Sequence, residues 1–147
     1  MKPVIYAASK TVHAPMWRAL RGRGANIIST WIDEAGPGET DDFGELWNRI
    51  ELEIRQCERL VLFVDANDFQ PNPLKGALIE VGMALTRNKP VWILGQGVVL
   101  DGRTCRPLGS WIHHPMVVYK DLNATHRHMD IAVGLHGGEP YRPVARG

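Results

Sequence analysis

Glu80 is the residue whose chemistry stands out. It is the only acid in the stretch from Pro73 to Leu94, PLKGALIEVGMALTRNKPVWIL. Leu74, Ala77, Leu78, Val81 and Leu85 recur there at helical spacing and form one apolar stripe. Glu80 lies roughly 120° round from the centre of that stripe, at about 100° per residue. Its companions on that second face are Gly76, Ile79 and Met83, so the face is not a solvated charged one. No basic residue lies three or four positions away, where Gly76, Ala77, Met83 and Ala84 stand. Helical side chains lean toward the N-terminus, which lays the carboxylate over Gly76 and into the space a missing side chain leaves. A carboxylate without a local cation, facing apolar neighbours, is suited to act as a nucleophile or a general base.

The elements that must position Glu80 alternate in type. Pro3–Ala8 reads as a first strand, and Pro15 opens a helix carrying Met16, Trp17 and Leu20. Asn26–Ile32 reads as a second strand, and Asp33–Asp42 as a Gly-, Pro- and acid-rich loop. Phe43–Cys57 is a helix with Leu46, Ile50, Ile54 and Cys57 on its inner stripe. Leu60–Val64 is a wholly apolar third strand, and Asp65–Asn72 is turn chemistry throughout. Asn72 is placed to cap the Glu80 helix, with Pro73 in its first turn, and Asn88 and Pro90 to stop it. Val91–Leu94 and Met116–Tyr119 supply strands four and five around a long loop, Gly95–Ser110. Asp121 is placed to cap a last helix with Leu122, Met129 and Val133, followed by a Gly- and Pro-containing tail from 137 to 147 that reads as mobile.

This alternation predicts one α/β domain over residues 1–147: a five-stranded parallel sheet, Rossmann-like or flavodoxin-like, with helices on both faces. The expected strand order is 2-1-3-4-5. Ligands of such sheets bind at the carboxyl ends of strands where the order reverses, here between strands one and three. The loop after strand one brings Ser9 and Lys10 to that crevice, the loop after strand three brings Asp65 and Asn67, and the next helix brings Glu80.

Composition excludes other classes. The chain has 147 residues, 44% hydrophobic and 22% charged, with a net charge of +1, so nothing draws it to nucleic acid or to a membrane. No apolar run approaches the ~20 residues of a spanning helix. Cys57 and Cys105 are far apart with no CxxC pattern, which speaks against a disulfide scaffold and suits the cytoplasm. GxGxxG, GxxxxGK[ST] and GxSxG are all absent, which lowers the case for a dinucleotide oxidoreductase, a P-loop enzyme or a serine hydrolase. His113, His114, His126, His128 and His136 match no metal-ligand spacing, and no metal or cofactor is expected. Ser9, Lys10 and His13, at a helix N-terminus, could hold a phosphate. Trp31 and Trp111 fall at loop edges, where an indole can stack on a flat ligand.

The strand with Ile5-Tyr6, the second strand after a helix, and the segment LKGALIEVGMAL together resemble the nucleoside 2-deoxyribosyltransferase-like superfamily. Gly76–Ala84, GALIEVGMA, is similar to that family's G-x-x-x-E-x-G-x-A segment. The likeness runs from the first strand to His114-Pro115, and ASKTVHAPMW with ISTWIDE looks like a phage or bacterial branch. The resemblance implies a flavodoxin-like sheet, homodimers or higher homo-oligomers, and Glu80 as the nucleophile. The carboxylate would attack the anomeric carbon of a nucleoside or nucleoside 5′-monophosphate and form a glycosyl-enzyme, leading to hydrolysis or base exchange. It implies Tyr6 as the hydroxyl that holds the glutamate; a core strand tyrosine is the plainer reading. Asp65 would protonate the leaving group, or Asp65 and Asn67 would contact the sugar. Ser9, Lys10, His13, Trp31, Gly76 and His114 complete the expected substrate contacts. Two departures stand out. Leu74 occupies a place where base-exchanging members carry an acid. The family's acid on the helix before strand three matches either Glu51 or Glu53. A nucleotide-binding domain without turnover and a glycohydrolase of an NAD-type dinucleotide are the alternatives.

Overall fold

The computed structural model describes residues 2–35 and 40–136; the expected mobile tail lies outside them. Four parallel strands form one sheet in the order β1-β2-β3-β4: β1 (Ile5–Ala8), β2 (Arg59–Asp65), β3 (Val91–Gln96) and β4 (Val117–Asp121). The helices are α1 (Ala14–Gly22), α2 (Phe43–Gln56), α3 (Gly76–Thr86) and α4 (His126–Ala132). The fold is therefore α/β with a parallel sheet. Leu60 to Val64 of β2 and Val91 to Leu94 of β3 are buried throughout, as strands covered on both faces must be.

Register places the helices on opposite faces. Ile5 pairs with Arg59 and Tyr6 with Leu60, so Tyr6 and Arg59 point to different sides of the sheet. Tyr6 reaches α3, whereas Arg59 donates to the Ala132 carbonyl of α4 and lies over the Trp92 ring. Arg23, at the end of α1, pairs with Asp130 of α4 on that second side.

The sheet has four strands rather than the expected five. The segment read as strand two touches the sheet at a single bridge, Ile27 to Ile5. Beyond it, side chains take over the edge of β1. The Ser29 hydroxyl accepts the Ala7 N–H at 2.6 Å, and the Trp31 indole N–H donates to the Ala7 carbonyl at 2.8 Å. With both backbone groups of Ala7 satisfied, the chain leaves the sheet for a 3₁₀ turn over Thr30–Asp33. Among the described residues no helix is long and apolar enough to cross a membrane.

Helix α3 starts later than its sequence suggests. Its N-cap is Lys75 and not Asn72, and no side chain caps it. Asn88 follows its end at φ 57°, a conformation asparagine tolerates better than most residues. Because α3 packs on α2 as well as on the sheet, its buried face is wide: Ala77, Glu80, Val81, Ala84 and Leu85. Helix α4 is capped by Thr125, whose side chain accepts the His128 N–H, and not by Asp121.

Candidate active site

Glu80 is 8% exposed. The Tyr6 hydroxyl donates to its Oε1 at 2.5 Å, joining β1 to α3 across 74 positions of sequence. Tyr6 itself is fully buried, so its hydroxyl needs this acceptor. The other oxygen, Oε2, accepts no hydrogen bond among the described residues. No buried side-chain oxygen or nitrogen there lacks a partner, so Oε2 must be reachable from outside. Glu80 lines a cavity of about 370 Å³.

Several segments of the described chain build the cavity, with Thr40 ahead of α2 among its lining residues. Ser9, Lys10 and Thr11 follow β1, and Trp31, Glu34 and Ala35 come from the 3₁₀ turn and its exit. Leu46 and Ile50 face it from α2. Asn72 to Ala77 close it from the loop and first turn of α3. Trp31, Leu46, Ile50 and Leu74 give the cavity apolar walls. A methyl group built on Gly76 would sit 3.6 Å from Glu80 Oε2 and 3.8 Å from Trp47 Cζ2. A side-chain carbon at position 76 would therefore fit without a clash and lie in van der Waals contact with the free oxygen.

Burial pushes the Glu80 carboxyl up to about 7; the Tyr6 hydrogen bond opposes this, and the charge of Glu53 adds to it. Burial, with the adjacent Glu80, also pushes the Tyr6 hydroxyl well above its ordinary range, so it remains a donor. Glu80 thus sits close to half ionised near neutral pH, in a partly dry site with one oxygen free. That suits a nucleophile or a general base.

Glu53 and Glu51 now separate. Glu53 is 6% exposed, and burial raises its carboxyl, partly offset by Thr30. The Thr30 hydroxyl donates to Glu53 Oε2 at 2.8 Å. Glu51 is half-exposed and pairs with Arg55 and Arg87, each at 2.9 Å, as a solvated helix charge does. Sequence reasoning missed Glu34, which lines the cavity and is gripped by Arg49 at 2.5 and 3.1 Å. The sequence carries no signal for it, since Arg49 lies 15 positions away and is also bound to Glu45.

Of the residues expected in the site, Glu80, Gly76, Ser9, Lys10 and Trp31 line the cavity, and Tyr6 reaches it through Glu80. The Ser9 hydroxyl accepts the Trp17 indole N–H at 2.8 Å, and the Lys10 ammonium donates to the Asn72 carbonyl across the cavity wall. Asp65, Asn67, His13 and His114 do not line it. Asp65 turns instead to accept the Asn67 N–H at 2.8 Å, capping a 3₁₀ turn over Ala66–Phe69. His13 lies against Asp68, with Nε2 at 2.9 and 3.0 Å from its two oxygens. His114 is exposed before β4 and accepts the Met116 N–H at 3.0 Å. No protein-family model matches the chain, and neither does any curated protein.

Proposed function

We propose that the protein cleaves the N-glycosidic bond of a nucleoside or nucleoside 5′-monophosphate, with Glu80 as the nucleophile. The observation that carries this reading is the Tyr6–Glu80 pair: one oxygen is held at 2.5 Å and the other is free in a 370 Å³ cavity. Glu80 Oε2 attacks the anomeric carbon, and the bond to the base nitrogen breaks with its electron pair on the base. The base leaves after taking a proton from solvent in the cavity. Water, or a second base, then attacks the same carbon and frees the carboxylate. Tyr6 orients Glu80 and holds down its affinity for a proton.

The cavity is at the small end of ligand sites, which suits one nucleotide better than a dinucleotide. Trp31 offers an aromatic wall to a base, and Lys10 and Lys75 offer cations to a phosphate. Asp65 is not among the residues that line the cavity, so in this proposal the base takes its proton from solvent. Leu74, an apolar wall where an exchange enzyme would want an acid, favours hydrolysis over base exchange. A flavodoxin-like ancestry and a homodimer belong to the same proposal, and sedimentation velocity tests the dimer.

The test is incubation with nucleosides, deoxynucleosides, their 5′-monophosphates and NAD, followed by chromatography for free base. Release by the wild type and its loss in Glu80→Gln supports the reading. Ligand binding without release by the wild type replaces it with a nucleotide-binding domain.

A further inference from the structure

We propose that His13, Asp65 and Asp68 form a binding site for one divalent first-row transition-metal ion. The site stands apart from the Glu80 cavity, and the proposal does not depend on the reading of Glu80.

The three side chains come from two connections. His13 belongs to the 3₁₀ turn after β1, and Asp65 and Asp68 to the end of β2 and the turn that follows. Their ligand atoms all lie within 4.8 Å of one another. His13 Nε2 is 2.9 and 3.0 Å from the two Asp68 oxygens and 3.6 Å from Asp65 Oδ2. Phe63 meets the His13 ring edge-on at 4.8 Å and limits its rotation.

One ring nitrogen therefore faces three carboxylate oxygens. That nitrogen carries at most one proton, so a hydrogen bond from it cannot satisfy all three oxygens at once. The capping bonds account for Asp65 Oδ1, which accepts from Asn67, and for part of Asp68 Oδ2, which accepts the Asp65 N–H at 2.8 Å. Asp65 Oδ2 has no hydrogen-bond donor among the described residues and points at His13. A cation between the three groups would be ligated by all of them.

The spacing fits an ion. Bonds of about 2.0–2.2 Å put neighbouring ligands roughly 3 Å apart in an octahedron and about 3.4 Å apart in a tetrahedron. His13 Nε2 stands at such an edge length from Asp68, at 2.9–3.0 Å, and close to one from Asp65, at 3.6 Å, and the ligand atoms of all three residues lie within 4.8 Å of one another. Asp68 is almost wholly buried and fixed, whereas Asp65 is a quarter exposed, which leaves an entry path and room for water ligands. An imidazole with two carboxylates selects Mn2+, Fe2+ or Zn2+ over Mg2+ or Ca2+.

The experiment uses the full chain with Mn2+ and with Zn2+, read by equilibrium dialysis and by melting temperature, with Mg2+ and Ca2+ in parallel. Asp65→Asn is the central variant, because its amide oxygen still accepts the Asn67 N–H. The proposal expects one Mn2+ or Zn2+ per chain and a raised melting temperature. It expects binding at least tenfold weaker in Asp65→Asn and in His13→Gln, with the metal-free melting temperature of Asp65→Asn unchanged. His114→Ala binds as the wild type does. Absence of stoichiometric Mn2+ or Zn2+ binding overturns the proposal. So does binding that survives both His13→Gln and Asp65→Asn, or binding confined to Mg2+ or Ca2+.

Discussion

The Tyr6 hydroxyl and the Glu80 carboxylate meet at 2.5 Å, and the contact divides the two oxygens of Glu80 between two tasks. Oε1 is committed to the sheet through Tyr6, and Oε2 is left to the cavity. A strand residue thus fixes the rotamer of a helix residue without occupying the atom that would react.

Tyr6→Phe tests that division. The hydrogen bond lowers the proton affinity of Glu80, so its removal moves the ionisation of Glu80 above about 7. We expect the rising limb of the pH–kcat/KM profile to shift to higher pH. Activity at neutral pH falls about 10- to 100-fold, the equivalent of a charge-assisted hydrogen bond of about 1.5–3 kcal/mol. Steady-state rates of base release across pH 5.5–9 check this.

Glu53→Gln works in the other direction. Its negative charge raises the Glu80 carboxyl, so its loss lowers it. The rising limb of the same profile shifts to lower pH. Glu51→Gln, at an exposed ion pair, leaves the profile in place and costs no more than about 1 kcal/mol of stability. Equal shifts in the two variants contradict the assignment of Glu53 as the neighbour of Glu80.

Gly76→Ala separates folding from function. The added carbon makes an ordinary contact 3.6 Å from Oε2, and alanine reduces the freedom of the unfolded chain. Stability is expected to hold or rise by about 0.4–1 kcal/mol. With Glu80 as the proposed nucleophile, turnover is expected to fall at least tenfold, because the methyl group lies 3.6 Å from Oε2. Denaturant melts and rates on one preparation decide it.

Glu80 also makes the protein pH-sensitive. Between the ordinary carboxyl value of 4.5 and the folded value of about 7, the native state keeps a proton that the unfolded chain has released. Unfolding free energy therefore falls as pH rises through that window and stays low above it. Glu80→Gln carries no such penalty. It is expected to be more stable than the wild type at pH 8, by on the order of 1–3 kcal/mol, with the gap closing toward pH 4.5. Urea titrations at the two pH values measure the difference.

Much of this was legible in the residues. An acid without a local cation, four positions after a glycine on an apolar helix, marked Glu80 and Gly76, and both line the cavity. Leu60–Val64 could only be a buried strand. The segment Asn26–Ile32 misled, because apolar alternation does not reveal that Ser29 and Trp31 satisfy the Ala7 backbone with their side chains. The strand-end position of Asp65 puts it at the crevice, but the residues alone do not tell that its Oδ1 caps the turn through the Asn67 N–H while its Oδ2 faces His13. Glu53 and Glu51 are two residues apart on one helix, and only packing against Thr30 distinguishes them. Glu34 carries no periodic signal, since its place depends on Arg49, 15 positions away.

The proposed role of Glu80 as nucleophile is tested most directly by trapping a glycosyl-enzyme. The wild type, mixed with a nucleoside or nucleotide that it turns over, is quenched in acid during steady state, digested and mapped by mass spectrometry. The account predicts a glycosyl mass addition on the peptide containing Glu80, localised to that carboxylate and absent in Glu80→Gln. Base release with the addition on another residue, or undiminished base release by Glu80→Gln, would contradict it.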